Sequence, residues 1–141
     1  MKIYFAGSIR GGGSDASFYK EIIEHLRKHG EVVGGEHADE VVLSALENEK
    51  ADDQFIYNRD SKRLDIADVL IAEVTAPSLG VGYEIGVSVG QGKKILCLFR
   101  KSFPEKKLSA MINGSPNTVK STYSSIDDVK KAVDDFFSKM N

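Results

Sequence analysis

The apolar run from Asp68 to Val74 constrains this chain more than any other stretch, because Pro77 forbids its simple continuation and a Gly-rich turn follows at once. The run reads as a strand. Before it, an amphipathic helix begins near Asp52 and turns Phe55, Ile56, Leu64 and Ile66 inward. After it, Ser78-Leu79-Gly80-Val81-Gly82-Tyr83-Glu84 opens a second helix near Gly80. If the strand is parallel and central, its C-terminal edge is where an open α/β sheet binds ligands, and Ser78 to Glu84 lie there.

One carboxylate stands near each end of this unit. Asp60 falls at helical spacing from Ile56 and Leu64, so it shares the face that those residues turn toward the core. Glu84 lies one turn into the next helix, where free amides and the helix dipole favour an anion. Two carboxylates in contrasting surroundings fit an acid paired with a nucleophile or base. The spacing fits equally a plain pairing of Asp60 with Arg63 or Lys62 on a solvated face, with Glu84 answering the dipole.

The rest of the chain repeats the alternation. Lys2 to Ala6 forms a first strand running into Gly7-Ser8-Ile9-Arg10-Gly11-Gly12-Gly13-Ser14. Ser14 caps a helix carrying Phe18, Ile22, Ile23 and Leu26, which stops at Gly30. The glycines and Arg10 suit a phosphate cradle, although the spacing matches neither the dinucleotide fingerprint nor a Walker A loop, and a surface turn explains it as well. Glu31 to Val33 is a brief second strand leading to His37, which leaves the same sheet edge as Arg10. Its position fits a ligand contact or an ordinary loop histidine. His25 and His29, on a helix face and at a helix end, read as structural. Lys93 to Phe99 is another buried strand, Lys106 to Ile112 a short helix, and Thr118 to Tyr123 a last strand. Ser125 caps a C-terminal helix with Val129, Ala132, Val133, Phe136, Phe137 and Met140 on its inner stripe. About five strands alternating with helices predict an α/β fold: one domain over residues 1–141, doubly wound, with a mainly parallel five-stranded sheet of flavodoxin-like or Rossmann-like kind.

The bulk properties exclude some partners. With 141 residues the chain fits one domain, and a net charge of −2 gives no general attraction to nucleic acid. No apolar stretch approaches the ~20 residues that a membrane span needs, and no signal peptide precedes Met1 to Phe5. The single cysteine, Cys97, reads as a small buried hydrophobe in a strand and points to a reducing compartment, hence a cytoplasmic location, with the nucleus also open in a eukaryote.

Three segments together, Tyr4-Phe5-Ala6-Gly7-Ser8-Ile9-Arg10-Gly11, Ala67-Asp68-Val69 and Pro77-Ser78-Leu79-Gly80-Val81-Gly82-Tyr83-Glu84-Ile85-Gly86, resemble the 2'-deoxynucleoside 5'-phosphate N-hydrolases of the nucleoside 2-deoxyribosyltransferase superfamily. The likeness extends through Asp53-Gln54-Phe55-Ile56, the strand from Ile95 to Arg100 and Leu108-Ser109-Ala110-Met111-Ile112, which covers most of the chain. It implies that Glu84 attacks the anomeric carbon of a deoxynucleoside monophosphate, that Asp60 protonates the departing base, and that water releases deoxyribose 5-phosphate. It implies further that Tyr4 lies beside sugar and nucleophile, crowding a 2'-hydroxyl. Gly7, Ser8, Ile9, Arg10 and Gly11 match the first phosphate-side loop, Ser78 and Gly80 the second, and His37 a histidine near the base. Ser109, with Met111 beside it, matches a segment that family members donate from a neighbouring subunit, which implies a homodimer. Neither a metal nor an organic cofactor is required by this resemblance.

Two other activities and one non-catalytic role remain compatible with the sequence. Base exchange between deoxynucleosides is disfavoured by Arg10 and Ser109, since a phosphate site is of no use to an unphosphorylated nucleoside. Hydrolysis of ribonucleotides such as CMP is disfavoured by Tyr4. A nucleotide-sensing module uses the same loops without chemistry, and the fold alone does not distinguish it.

Overall fold

The computed structural model describes residues 1–8, 16–34 and 52–141. Ile9, Arg10, Gly11, Ser14 and His37, assigned above to the first loop, a helix cap and a base contact, lie outside the described residues.

Strands β1 (Lys2–Ala6), β2 (Glu31–Gly34), β3 (Val69–Glu73), β4 (Lys94–Arg100) and β5 (Val119–Tyr123) pair in parallel in the order β2-β1-β3-β4-β5. Helices α1 (Ala16–Leu26), α2 (Asp53–Ile66), α3 (Leu79–Gly90), α4 (Ala110–Asn113) and α5 (Ile126–Ser138) follow in chain order. This is the flavodoxin-like order expected of strands that alternate with crossover helices, and the direction in which successive strands are added reverses between β1 and β3. The central strands are buried on both faces. Ile3, Phe5, Val69, Ile71, Leu96 and Leu98 pack against α1 and α5, whereas Tyr4, Ala6, Leu70, Ala72, Ile95 and Cys97 pack against α2 and α3. Burial pushes the Cys97 thiol up to about 11, despite an opposing pull from Lys120, so it behaves as the inert core residue that its strand position suggested.

Local signals set the helix ends. Asp52 caps α2 by accepting from the Phe55 amide at 2.7 Å, and Ser125 with Asp128 forms a reciprocal capping box on α5. The α5 stripe is core, with Val129, Val133, Phe136 and Phe137 buried. Two expectations need correction. On α2 only Leu64 is fully buried, while Phe55 and Ile66 are about half exposed, because this polar helix meets the sheet through one narrow line of contact. The helix expected over 106–112 is the single turn Ala110–Asn113. The extended backbone of Ser109 stops it from running back into the paired lysines.

Close approach explains one glycine. A Cβ on Gly34 would stand 1.9 Å from Cδ2 of the Tyr4 ring, so β2 must carry glycine for Tyr4 to lie flat beside it. The register shifts at this point, with Ile3 opposite Val32 but Tyr4 opposite Gly34.

On the other face, the sequence reading passed over Glu73, which ends β3 and is 3% exposed. Its carboxylate accepts hydrogen bonds from the Tyr19 hydroxyl at 3.1 Å, the Tyr123 hydroxyl at 3.0 Å and the Thr75 hydroxyl, which joins α1, β3 and β5. The Arg100 guanidinium covers the Phe18 and Tyr123 rings at 4.7 and 5.6 Å. Burial and the nearby Glu73 charge push the Tyr123 phenol up to about 12. The unfolded chain therefore ionises this phenol near its ordinary value of 10 and the folded chain only near 12. Its contribution to stability is intact below pH 10 and is lost as pH rises through 12. Melting temperatures measured across this window are expected to fall for the parent and to fall less for Tyr123→Phe.

Candidate active site

Three elements converge outside the C-terminal ends of β1 and β3, at the point where the strand order reverses. β1 brings Tyr4, whose ring is 1% exposed and whose hydroxyl donates to Oε1 of Glu84 at 3.0 Å. A phenol buried this deeply requires a polar partner, and Glu84, half-buried on α3, supplies it. Because α3 begins at Leu79, Glu84 is its sixth residue and lies beyond the first turn. The dipole and free amides proposed from the sequence are therefore not what holds it, since their influence fades within one turn.

Asp60 comes from α2. Its side chain is 15% exposed, in keeping with the inward face expected of it, and both its oxygens are held by the fork of Arg59, Oδ1 from Nε at 2.7 Å and Oδ2 from Nη2 at 2.8 Å. The expected partners were Arg63 or Lys62. Adjacent helical residues point apart, so Arg59 is not an obvious candidate from spacing. Its long stem folds back over the Phe55 ring, 5.8 Å from the centroid, and returns the guanidinium to Asp60.

Asp60 and Glu84 line one cavity of about 240 Å³, together with Asp53, Ile56, Tyr57, Ser61, Leu64, Gly80 and Tyr83. Leu64 closes its base, and the half-exposed rings of Tyr57 and Tyr83, 6.5 Å apart, stand at its rim. A hydrogen bond with Tyr57 raises the Tyr83 phenol above its ordinary value. Neither tyrosine was singled out from the sequence. Their pairing across two helices has no signature in local spacing.

A second, larger cavity of about 630 Å³ flanks the opposite side of α3 and holds Ser78, Ser109 and Met111. Ser78 is the α3 cap, its hydroxyl accepting from the Val81 amide at 3.3 Å. Leu79 and Met111 are almost wholly exposed at this cavity's edge, 96% and 85%. Within one chain, then, Tyr4, Asp60, Gly80 and Glu84 come together, while Ser78, Ser109 and Met111 gather on the other flank of α3. Gly7 and Ser8 continue directly from the end of β1.

Two carboxylates thus share a small cavity at the switch point of a flavodoxin-like sheet, one of them hydrogen-bonded to a buried phenol, which is an enzyme-like site on an α/β scaffold. Residues 3–138 match the nucleoside 2-deoxyribosyltransferase family, and the chain belongs to it. Among its relatives, the 5-hydroxymethyl-dUMP N-hydrolase of Esox lucius is 51% identical over 117 residues, 82% of this chain and 79% of that protein. The 5-hydroxymethyl-dUMP N-hydrolase of Tetraodon nigroviridis is 44% identical over 142 residues, 98% of each chain. In fold, the chain is similar to the Clostridium botulinum CMP N-glycosidase, with a TM-score of 0.66 and 19% identity over 96% of this chain and 99% of that one.

The contact between Gly34 and Tyr4 makes a site far along the chain sensitive to a single methyl group. Gly34→Ala is expected to displace the Tyr4 ring and part its hydroxyl from Glu84. The expected readout is a fall in melting temperature, and any activity of the site should fall at least as far as in Tyr4→Phe.

Proposed function

We propose that this protein hydrolyses the N-glycosidic bond of 2'-deoxynucleoside 5'-monophosphates, releasing the free base and 2-deoxyribose 5-phosphate. The observation that carries this reading is the Tyr4 hydroxyl on Oε1 of Glu84, in a cavity that Asp60 also lines. Its support from outside the chain is the name shared by relatives at 44% and 51% identity, 5-hydroxymethyl-dUMP N-hydrolase, whose substrate is a deoxynucleoside monophosphate.

The reaction follows from the chemistry of the two acids. Glu84, held by the Tyr4 hydroxyl, attacks the anomeric carbon through a carboxylate oxygen as the bond to the base breaks, giving a deoxyribosyl ester. Asp60 delivers a proton to the leaving base, which requires its carboxyl first to turn from the Arg59 fork toward the substrate and take up that proton from solvent. The same carboxylate then takes a proton from the water that opens the ester. Two displacements at one carbon retain its configuration, and retaining pairs stand about 5–5.5 Å apart. In this reading the Tyr4 ring, walled in by Gly34, crowds a 2'-hydroxyl, which favours deoxyribose.

A cavity of about 240 Å³ is small beside the ~300–1,000 Å³ of most ligand sites, so it suits the sugar rather than a whole nucleotide. In this reading the phosphate is gripped by Gly7 to Gly11 with Ser78 and Gly80, and His37 faces the base. A second copy of the chain completes the site by donating Ser109, with Met111 beside it. The apolar groove beside α3 and its exposed Leu79 and Met111 support such a homodimer. So does the open surface at Gly82 and Gly86, where an added Cβ meets no described atom within 4 Å. Among the described residues no helix is long and apolar enough to cross a membrane. We propose a cytoplasmic location on the ground of the single, buried cysteine, with the nucleus also open in a eukaryote.

Chromatography of a panel of deoxy and ribo monophosphates tests the reading. Base is expected from deoxynucleotides and far more slowly from ribonucleotides. Asp60→Asn and Glu84→Gln are each expected to lower kcat by about 10²–10⁴-fold, the range for loss of a positioned acid or nucleophile. Tyr4→Phe removes one hydrogen bond to a charged group, roughly 1.5–3 kcal/mol, and is expected to cost about 10–100-fold. Undiminished release by Glu84→Gln would overturn the nucleophile assignment, and a new nucleoside formed on adding a free base would favour transfer over hydrolysis.

A further inference from the structure

We propose that His25, His29 and Asp134 form a binding site for a divalent transition metal of the zinc class, bridging α1 to α5 on the face of the sheet opposite the carboxylate cavity. His25 lies in the last turn of α1 and His29 one turn further on, so both rings leave the same side of the chain. Both Nε2 atoms stand 2.7 Å from one oxygen, Oδ1 of Asp134 on α5. One ligand atom from each of the three residues lies within 4.8 Å of the other two. Ligands about 2.0–2.2 Å from one tetrahedral zinc ion stand roughly 3.3 Å from one another, so both rings need only draw back a few tenths of an ångström from Oδ1 to admit the ion between them.

The surroundings fix these side chains before any ion arrives. The His29 ring stacks on Phe137 with centroids 4.5 Å apart and planes at 8°, and it meets the His25 ring edge-on at 5.8 Å. His25 is 8% exposed, whereas Asp134 is about half exposed, so the cluster is anchored on one side and open to solvent on the other. That opening supplies both an entry path and a fourth position for water.

The donor set selects the ion. Two imidazoles and one carboxylate suit zinc, cobalt or nickel, while magnesium and calcium prefer an all-oxygen shell. The site also differs from a simple ion pair. For both rings to donate to one carboxylate oxygen, each must carry its proton on Nε2, and this leaves the buried Nδ1 of His25 without a partner among the described residues. When Nε2 binds metal, Nδ1 carries the proton in the same dry pocket and still lacks an acceptor. Missing partners of that kind weaken metal sites about 10–100-fold, so binding in the micromolar range is expected rather than the tight binding of structural zinc sites.

Calorimetric titration of the tag-free full chain with zinc chloride tests the proposal. One ion per chain is expected, with His29→Gln and Asp134→Asn each weakening it about tenfold or more and both variants keeping the parental far-ultraviolet circular dichroism. Only one histidine lies outside this pair, so His37→Gln is the control and should bind as the parent does. Cobalt should compete for the same site and magnesium should give no saturable heat. Absence of saturable zinc binding overturns the proposal, as does binding that survives both site variants or is abolished by His37→Gln.

Discussion

The hydrogen bond from the Tyr4 hydroxyl to Glu84 joins the first strand of the sheet to a helix 80 residues later in the chain, and the account of this protein's chemistry depends on it. A tyrosine on a central strand is an awkward core residue, since its ring belongs in the interior and its hydroxyl does not. The conflict is resolved by ending the ring at the sheet's C-terminal edge, where Glu84 accepts the proton. Gly34 makes the arrangement possible from the far side. The same bond orients the Glu84 carboxylate through Oε1, which is how a nucleophilic carboxylate would be aimed.

The two faces of the sheet carry different kinds of polar burial. On the α2 and α3 face, Asp60 and Glu84 border open space, and their partners, Arg59 and Tyr4, hold them at its wall. On the α1 and α5 face, Glu73 is enclosed and accepts from Tyr19, Tyr123 and Thr75. A buried carboxylate that accepts several hydroxyl protons is satisfied in place and has no access to a substrate. Glu73 therefore belongs to the scaffold. It fixes β3 against α1 and β5, just below the edge where β3 hands over to Ser78 and α3.

The alternation of strands and helices was legible in the sequence because each buried strand is a short apolar run bounded by Gly, Pro or a cap, and α2, α3 and α5 each open on a capping side chain. The five parallel strands and the C-terminal stripe were readable on that basis. Short or polar elements were less so: α4 shrank to one turn, and α2 left Phe55 and Ile66 in solvent. At the site, Asp60 and Glu84 stood out as carboxylates at telling positions, and the resemblance to the N-hydrolases supplied Tyr4. Periodicity could not supply partners set by three-dimensional proximity. Arg59 folds back on its own neighbour, Tyr57 meets Tyr83 across two helices, and Gly34 matters only because a ring from another strand lies over it. Ser109 and Met111 presented a similar difficulty, since within one chain they line the cavity on the other flank of α3.

The central claim is that Glu84 forms a bond to the sugar and gives it up again. The anomeric configuration of the product captured when methanol replaces water as acceptor tests it most directly, read by proton magnetic resonance before the sugar can mutarotate. Two displacements at the anomeric carbon predict the β-methyl glycoside of 2-deoxyribose 5-phosphate from a β-nucleotide. Formation of the α-glycoside would mean a single displacement by solvent, with Glu84 acting as a base, and would contradict the account.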